Sequence, residues 1–230
     1  MTAEDAAVDR SARPRPRWLA ALIAAAALAA AALLGGAGGL LLAQSPEDPP
    51  GGADPNSIDV GFAQDMTVHH QQAVTLASWA RDHSEDPVIR QLAGDIEIGQ
   101  SDQIGRMQGW LGLWSRPSHA DGPPMTWMIG DEHPQHPTKP GQTMPGMATA
   151  SEIKQLRTLT GEALDIYFLQ LMIRHHQGGE PMMRAAIDGA AVGEVTNLAQ
   201  QMLDAQTAEI TTMTAMLNEH GAEPLAPPGR

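Results

Sequence analysis

The chain has 230 residues, no cysteine and a formal net charge of −13. Without thiols there are no disulfides, thiolate metal sites or cysteine nucleophiles, and the available ligands are His, Met, Asp and Glu. One Tyr and two Phe beside abundant Ala, Leu and Met favour helices over strands, so the expected fold is all-α.

Four arginines in residues 10–17 precede an uncharged run of 26 residues, 18–43. As a helix that run extends ~39 Å, more than the ~30 Å of hydrocarbon in a bilayer. It also exceeds the ~7–15 apolar residues of an ordinary signal peptide. It is expected to be a transmembrane signal anchor, because Leu41-Leu42-Ala43 is a mediocre cleavage site; cleavage there would instead release a secreted protein. The arginines before it and Glu47, Asp48 and Asp54 after it place residues 1–17 as a cytoplasmic basic tail and the rest outside. Residues 44–57, rich in Pro, Gly and acid, form a linker.

From residue 45 onward, 24 Asp and Glu stand against 10 Lys and Arg, a balance of −14. Nucleic-acid binding draws on basic groups that release counterions from phosphate, so a nucleic-acid partner is not expected. Such a surface suits the attraction of cations.

Compared with itself, the sequence shows a gapless duplication at an offset of 106 residues. Asp59 matches Asp165, Phe62 matches Phe168, Met66 matches Met172, and His69-His70-Gln71 matches His175-His176-Gln177. Leu92, Ala93, Gln100, Ile104, Met107 and Leu111 then match Leu198, Ala199, Gln206, Ile210, Met213 and Leu217. Each half is therefore one supersecondary unit.

Each unit reads as a helical hairpin. The first has a helix over 58–82 capped by Asn56 or Ser57, and a second over 87–114 opened by Asp86 and Pro87. The second has helices over 162–188 and 194–220, preceded by a short turn over 151–159 that begins at Ser151. Together they predict a four-helix bundle over 58–220, with a long crossover at 115–149 and a tail at 221–230.

Helical periodicity from Phe62 places Met66 and His69 inside the apolar stripe, His70 at its edge and Gln71 outside; Met172, His175 and His176 repeat the pattern. The partner helices carry polar residues in the middle of their apolar sides, at Gln100 and Gln103 and again at Gln206 and Glu209. Gln100, Gln206 and Glu209 are candidate hydrogen-bond supports for the histidines, and Glu209 is also a candidate ligand. One buried histidine is ordinary core, and methionines at helical spacing are ordinary gap filling. Recurrence in register shifts the balance towards a metal site.

Softness then separates the metals. A di-iron carboxylate bundle requires Glu-x-x-His, whereas here the residue three before His69 and His175 is methionine. Imidazole with thioether suits copper, above all Cu(I), while zinc stays open through His and carboxylate, and iron through a di-iron-like oxidoreductase. A metal-free helical interaction module is the third alternative. No phosphate loop or nucleophile arrangement points to an enzyme.

The stretches FAQDMTVHHQQAVTLA and DIYFLQLMIRHHQGGEPMM, with MPGM at 144–147, resemble the domain-of-unknown-function 305 family of the ferritin-like superfamily, over residues 58–220. Some members are extracytoplasmic copper-binding proteins of the CopM type. The resemblance implies a ferritin-like four-helix fold and copper handling through Met66, His69, His70, Met172, His175 and His176. It departs at GGEPMM, where Pro181 removes a hydrogen bond and opposes the carbonyl of Gln177, so a kink is expected just after the second His pair.

The crossover pairs Met125 with Met128, His133 with His136 and Met144 with Met147, each three residues apart. In a flexible Pro-rich tract these are candidate auxiliary metal ligands that gather copper for the bundle. Equally, the methionines can simply pack on it.

Overall fold

A computed structural model describes residues 57–128 and 143–226. The expected cytoplasmic tail, the signal anchor and all but the last residue of the linker lie outside the described residues, as do His133, His136 and residues 227–230.

The described residues are helical, without strands: α1 (Ile58–His83), α2 (Pro87–Leu113), a 3-10 turn (Thr126–Met128), α3 (Ala150–Leu156), α4 (Gly161–Gly189) and α5 (Gly193–Glu219). Ser57 opens α1 by accepting from the Val60 N–H, and Asp86 opens α2 by accepting from the Val88 and Ile89 N–H groups. The expected start of the short helix at Ser151 is corrected to Thr149. Thr149 forms a capping box with Glu152, and a carboxylate three residues on satisfies the cap's own N–H where Ser151 has no such partner. Pro181 does not end α4, which continues to Gly189.

The helices form two hairpins, α1–α2 and α4–α5, joined where α1 packs antiparallel on α4. The core consists of two clusters stacked along the bundle. One gathers the start of α1, the end of α2, the end of α4 and the start of α5, around Phe62, Met66, Met107, Leu111, Met182 and Leu198. The other gathers the opposite ends around Leu76, Ile89, Ile96, Phe168, Met172 and Leu217. Burying a large apolar side chain contributes ~1.5–3 kcal/mol, so these clusters hold the fold.

Two repeat-related carboxylates lock one hairpin to the other. Buried Asp59 on α1 accepts from the Ala191 and Val192 N–H groups at the start of α5, at 3.0 and 2.9 Å. Its counterpart on α4, Asp165, bonds Ser84 in the turn before α2, and burial holds its carboxyl above the usual range. Asp59 thus satisfies amide groups at the start of α5, whose own cap position, Val192, has no side-chain acceptor.

The crossover is packed against the bundle at both described ends. Gln64 donates to the Pro117 carbonyl at 2.8 Å, and buried Asp65 accepts from the Met125 N–H at 2.6 Å and the Trp127 indole at 2.7 Å. Trp127 covers Gly61 so closely that an added Cβ would sit 2.2 Å from its ring. At the other end Arg174 holds Glu152 through two bonds of 2.7 and 2.9 Å, pushing that carboxyl down to about 2.

Candidate metal centre

Between the two apolar clusters lies a polar layer. Gln100 and Gln103 fall between Ile96 of one cluster and Met107 of the other; Gln206 and Glu209 fall between Met202 and Met213. On the inner helices His69-His70 and His175-His176 occupy the same level. All four imidazoles are buried, at 1 % exposure or less.

The repeat brings His69 and His175 together at the crossing of α1 and α4, with ring centroids 3.8 Å apart and ring planes at 38°. Each flank histidine turns towards the outer helix of its own hairpin. His70 Nε2 meets Gln103 Oε1 at 2.7 Å, and 106 residues later His176 Nε2 meets Glu209 Oε2 at 2.5 Å. His70 and His176 are therefore fully enclosed rather than placed at an edge, because α2 and α5 cover that side.

The inner pair is bonded to main chain. His175 Nε2 donates to the His69 carbonyl at 3.1 Å, and His69 Nε2 donates to the Pro145 carbonyl at 3.3 Å. Pro145 reaches His69 because α4 has Gly178 there: an added Cβ would lie 2.1 Å from the Pro145 oxygen. Gly146 completes the turn at φ +79°, a left-handed conformation that glycine adopts freely. Gln72 holds the same segment by accepting from the Ala148 N–H and donating to its carbonyl. Gly179 faces His69 and Gln206, with an added Cβ 3.2 Å from the His69 ring. The Gly178-Gly179 pair thus serves close packing around the histidines.

A common electronic state follows. A carbonyl, amide or carboxylate oxygen accepts, so each Nε2 carries a proton, and in a neutral ring Nδ1 then presents a lone pair. The Nδ1 atoms of His69, His70, His175 and His176 are all buried without a hydrogen-bond partner, as are the Gln100 amide and the Gln206 oxygen. Burial holds His69 down to about 3, His70 down to about 4 and His175 well below the ordinary value, the neighbouring imidazoles adding to the effect. These three are neutral at pH 7. An unsatisfied buried acceptor costs ~1–3 kcal/mol, so a repeated set of them calls for a partner.

Met66 and Met172 do not share one cluster. Each lies one turn before its histidine, and the antiparallel crossing sends them to opposite sides of the polar layer. All four side chains are buried in the bundle interior, the histidines at the crossing and the methionines on either side of it. Among the described residues, no three His, Asp or Glu side chains group as a ready metal cage.

Of the crossover candidates, Met125, Met128 and Met144 are buried in the cluster that holds Met66, and Met147 packs against it. They pack on the bundle, as the second of the two expectations for the crossover methionines has it. Two supports were not singled out as partners from sequence. Gln103 could have been, as the repeat counterpart of Glu209; the Pro145 carbonyl carries no side-chain signal.

The model of the family described as domain of unknown function, DUF305, matches residues 59–217. A DUF305 protein from Streptomyces coelicolor, described as secreted, is 43% identical, with a TM-score of 0.68 over 75% of this chain and 99% of that one. The Cu(I)-bound form of CopM is 25% identical, with a TM-score of 0.54 over 70% of this chain and 96% of that one; CopM structures also include Cu(II)-bound and Ag-bound forms. An uncharacterized protein, L153, from Acanthamoeba polyphaga mimivirus is 38% identical over 53 residues, 23% of this chain and 35% of that protein, so the match spans about a third of that relative's length. The matched span takes in both hairpins, both His-His pairs and the crossover between them, and the chain belongs to the DUF305 family.

Proposed function

We propose that this chain is an extracytoplasmic, membrane-anchored protein that binds copper as cargo, chiefly as Cu(I), for sequestration or delivery. The observation that carries the reading is the set of four buried imidazoles, each with Nε2 tied to a protein oxygen and Nδ1 left without a partner. Metal-binding histidines have this form: the bonded nitrogen fixes the ring, and the other offers its lone pair. The donors are His69, His70, His175 and His176, with Met66 and Met172 as flanking thioethers. Gln103 and Glu209 orient the flank rings, while Gln100 and Gln206 supply further polar groups in the layer.

The donor chemistry fits Cu(I) better than the alternatives. Zinc takes four ligands and a di-iron centre takes bridging carboxylates, whereas the donors of this layer are imidazoles with thioethers on either side, and the Glu209 carboxylate bonds His176. Imidazole and thioether suit a soft cation. The copper-bound and silver-bound forms of CopM support the same class of cargo. Met125, Met128, Met144 and Met147 are, in this reading, auxiliary thioethers on the side of Met66, extended by His133 and His136.

Anchoring rests on residues 18–43 and the arginines before them; among the described residues no helix is long and apolar enough to cross a membrane. The secreted description of the Streptomyces relative supports an outside location for the bundle.

The test is anaerobic Cu(I) titration of the purified protein against a competing chelator. His69→Ala with His175→Ala is expected to weaken binding by more than ~100-fold, beyond the loss typical of removing a support residue. His83→Ala with His220→Ala, at exposed helix ends, leaves affinity unchanged. Wild-type affinity in a folded His69→Ala/His175→Ala protein overturns the reading and returns the histidines to the core.

A further inference from the structure

The ends of α2 and α5 are related by the duplication, yet the end of α2 carries a tryptophan pair where α5 has none; the opposite end of the bundle has one indole, Trp79, which stacks on His83 beneath Arg157. At the end of α2, Trp110 and Trp114 stack with ring centroids 6.2 Å apart at 21°, and the Arg106 guanidinium lies 5.7 Å from the Trp110 ring centre. Both indoles are half-buried against the Met66 cluster, and Leu113 beside them is 69 % exposed. At the end of α5, 106 residues on, the corresponding positions are Met216, Glu219 and His220. The repeat preserves what the core needs, so it serves as an internal control: the aromatic and aliphatic set is not required to end such a helix.

We infer that the end of the bundle bearing Trp110, Leu113 and Trp114 docks on the headgroup layer of a lipid bilayer. The inference rests on the anchored reading above. Three observations name lipid as the occupant. The chain leaving the 18–43 run enters the bundle at this end, since Ile58 packs on the same cluster as both indoles. Residues 44–57 span at most about 50 Å when fully extended, which bounds the distance between the start of α1 and the end of the apolar run. The local charge also departs from the rest of the exported portion, which is acidic: from Asp102 to Asp121 two arginines, Arg106 and Arg116, balance the two aspartates at the ends of the stretch. Trp with its amphipathic ring, an exposed Leu and a stacked Arg are the side chains that settle at a membrane interface and meet anionic headgroups. Tethering raises the effective concentration of the surface at the bilayer, so a small patch is enough.

The absence of native cysteine allows a clean test on the full chain in vesicles of phosphatidylcholine and phosphatidylglycerol. Single nitroxides are placed through Leu113→Cys, Glu219→Cys and, within the apolar run, Ala30→Cys. Accessibility to oxygen and to a water-soluble nickel chelate is then compared. The expected result is a several-fold higher oxygen-to-nickel ratio at 113 than at 219, with 30 reading as hydrocarbon depth. If 113 reads as aqueous as 219 while 30 reads deep, docking is overturned and the anchor stands. A label at 113 shielded from both reagents marks a protein contact and overturns the lipid assignment. If 30 also reads aqueous, the anchor and the docking fall together.

Discussion

The two hairpins hold their histidines at the same level but support them differently. In the first, His70 is held by the neutral amide of Gln103; in the second, His176 is held by the carboxylate of Glu209. The inner pair is likewise alike in placement and unlike in partner, since His69 bonds the crossover at Pro145 while His175 bonds α1 at the His69 carbonyl. The duplication has thus kept ring position, which packing demands. The atoms that tune ring basicity have diverged. A carboxylate behind an imidazole strengthens its free nitrogen more than an amide does, so under the proposed function the second hairpin is expected to supply the stronger flank donor.

Acid gives the largest expected effect. Burial holds His70 down to about 4 and His69 down to about 3 from an ordinary 6.5. Below about pH 6.5 the unfolded chain takes up these protons while the folded chain stays neutral, so stability is full above that pH and is lost as pH falls towards the folded values. At ~1.4 kcal/mol per pH interval, His70 alone contributes a loss of roughly 3 kcal/mol by about pH 4. Denaturant unfolding of the metal-free protein between about pH 7 and pH 4 measures the slope, and His70→Gln, which cannot take up the proton, flattens it. An unchanged slope in a folded His70→Gln protein would remove the first hairpin's flank ring from the account.

The difference between amide and carboxylate is tested next. Glu209→Ala is expected to lower Cu(I) affinity by ~10–100-fold, the usual range for a residue that supports a ligand. Gln103→Ala falls at or below the lower end. Chelator competition on both variants decides: equal losses would mean that charge behind the ring has no bearing, and that the hairpins differ in sequence alone.

The smallest effects separate close-packed from open glycines. Gly178→Ala forces a Cβ to 2.1 Å from the Pro145 oxygen, which pushes the crossover off His69 and costs ~1–3 kcal/mol. Gly99 on α2 faces open space, so Gly99→Ala stabilises by roughly 0.5–1 kcal/mol. Thermal unfolding of the two variants reads opposite signs. A neutral Gly178→Ala would show that the crossover yields without the histidine layer.

The sequence alone determined the local chemistry and the repeat. Helical period, the Asp86-Pro87 start and the 106-residue offset were enough to place α1, α2, α4 and α5 within a residue or two, because caps and periodicity are properties of neighbours along the chain. The same arithmetic turned His69 and His175 inward. Tertiary structure decided what depends on neighbours across the chain. The start of α1 is buried almost all round, from Asp59 to Thr67, because the crossover covers its outer side through Gln64, Asp65 and Trp127. His70 and His176 are enclosed because outer helices close over the edge of the stripe. Met66 and Met172 part company because α1 and α4 cross antiparallel, and a pseudo-two-fold at the crossing sends equal steps along the two helices in opposite directions. The Pro145 carbonyl reaches His69 through the gap left by Gly178. A period along one helix states which way a side chain points; what it meets there is fixed by a distant segment whose docking the local pattern does not encode.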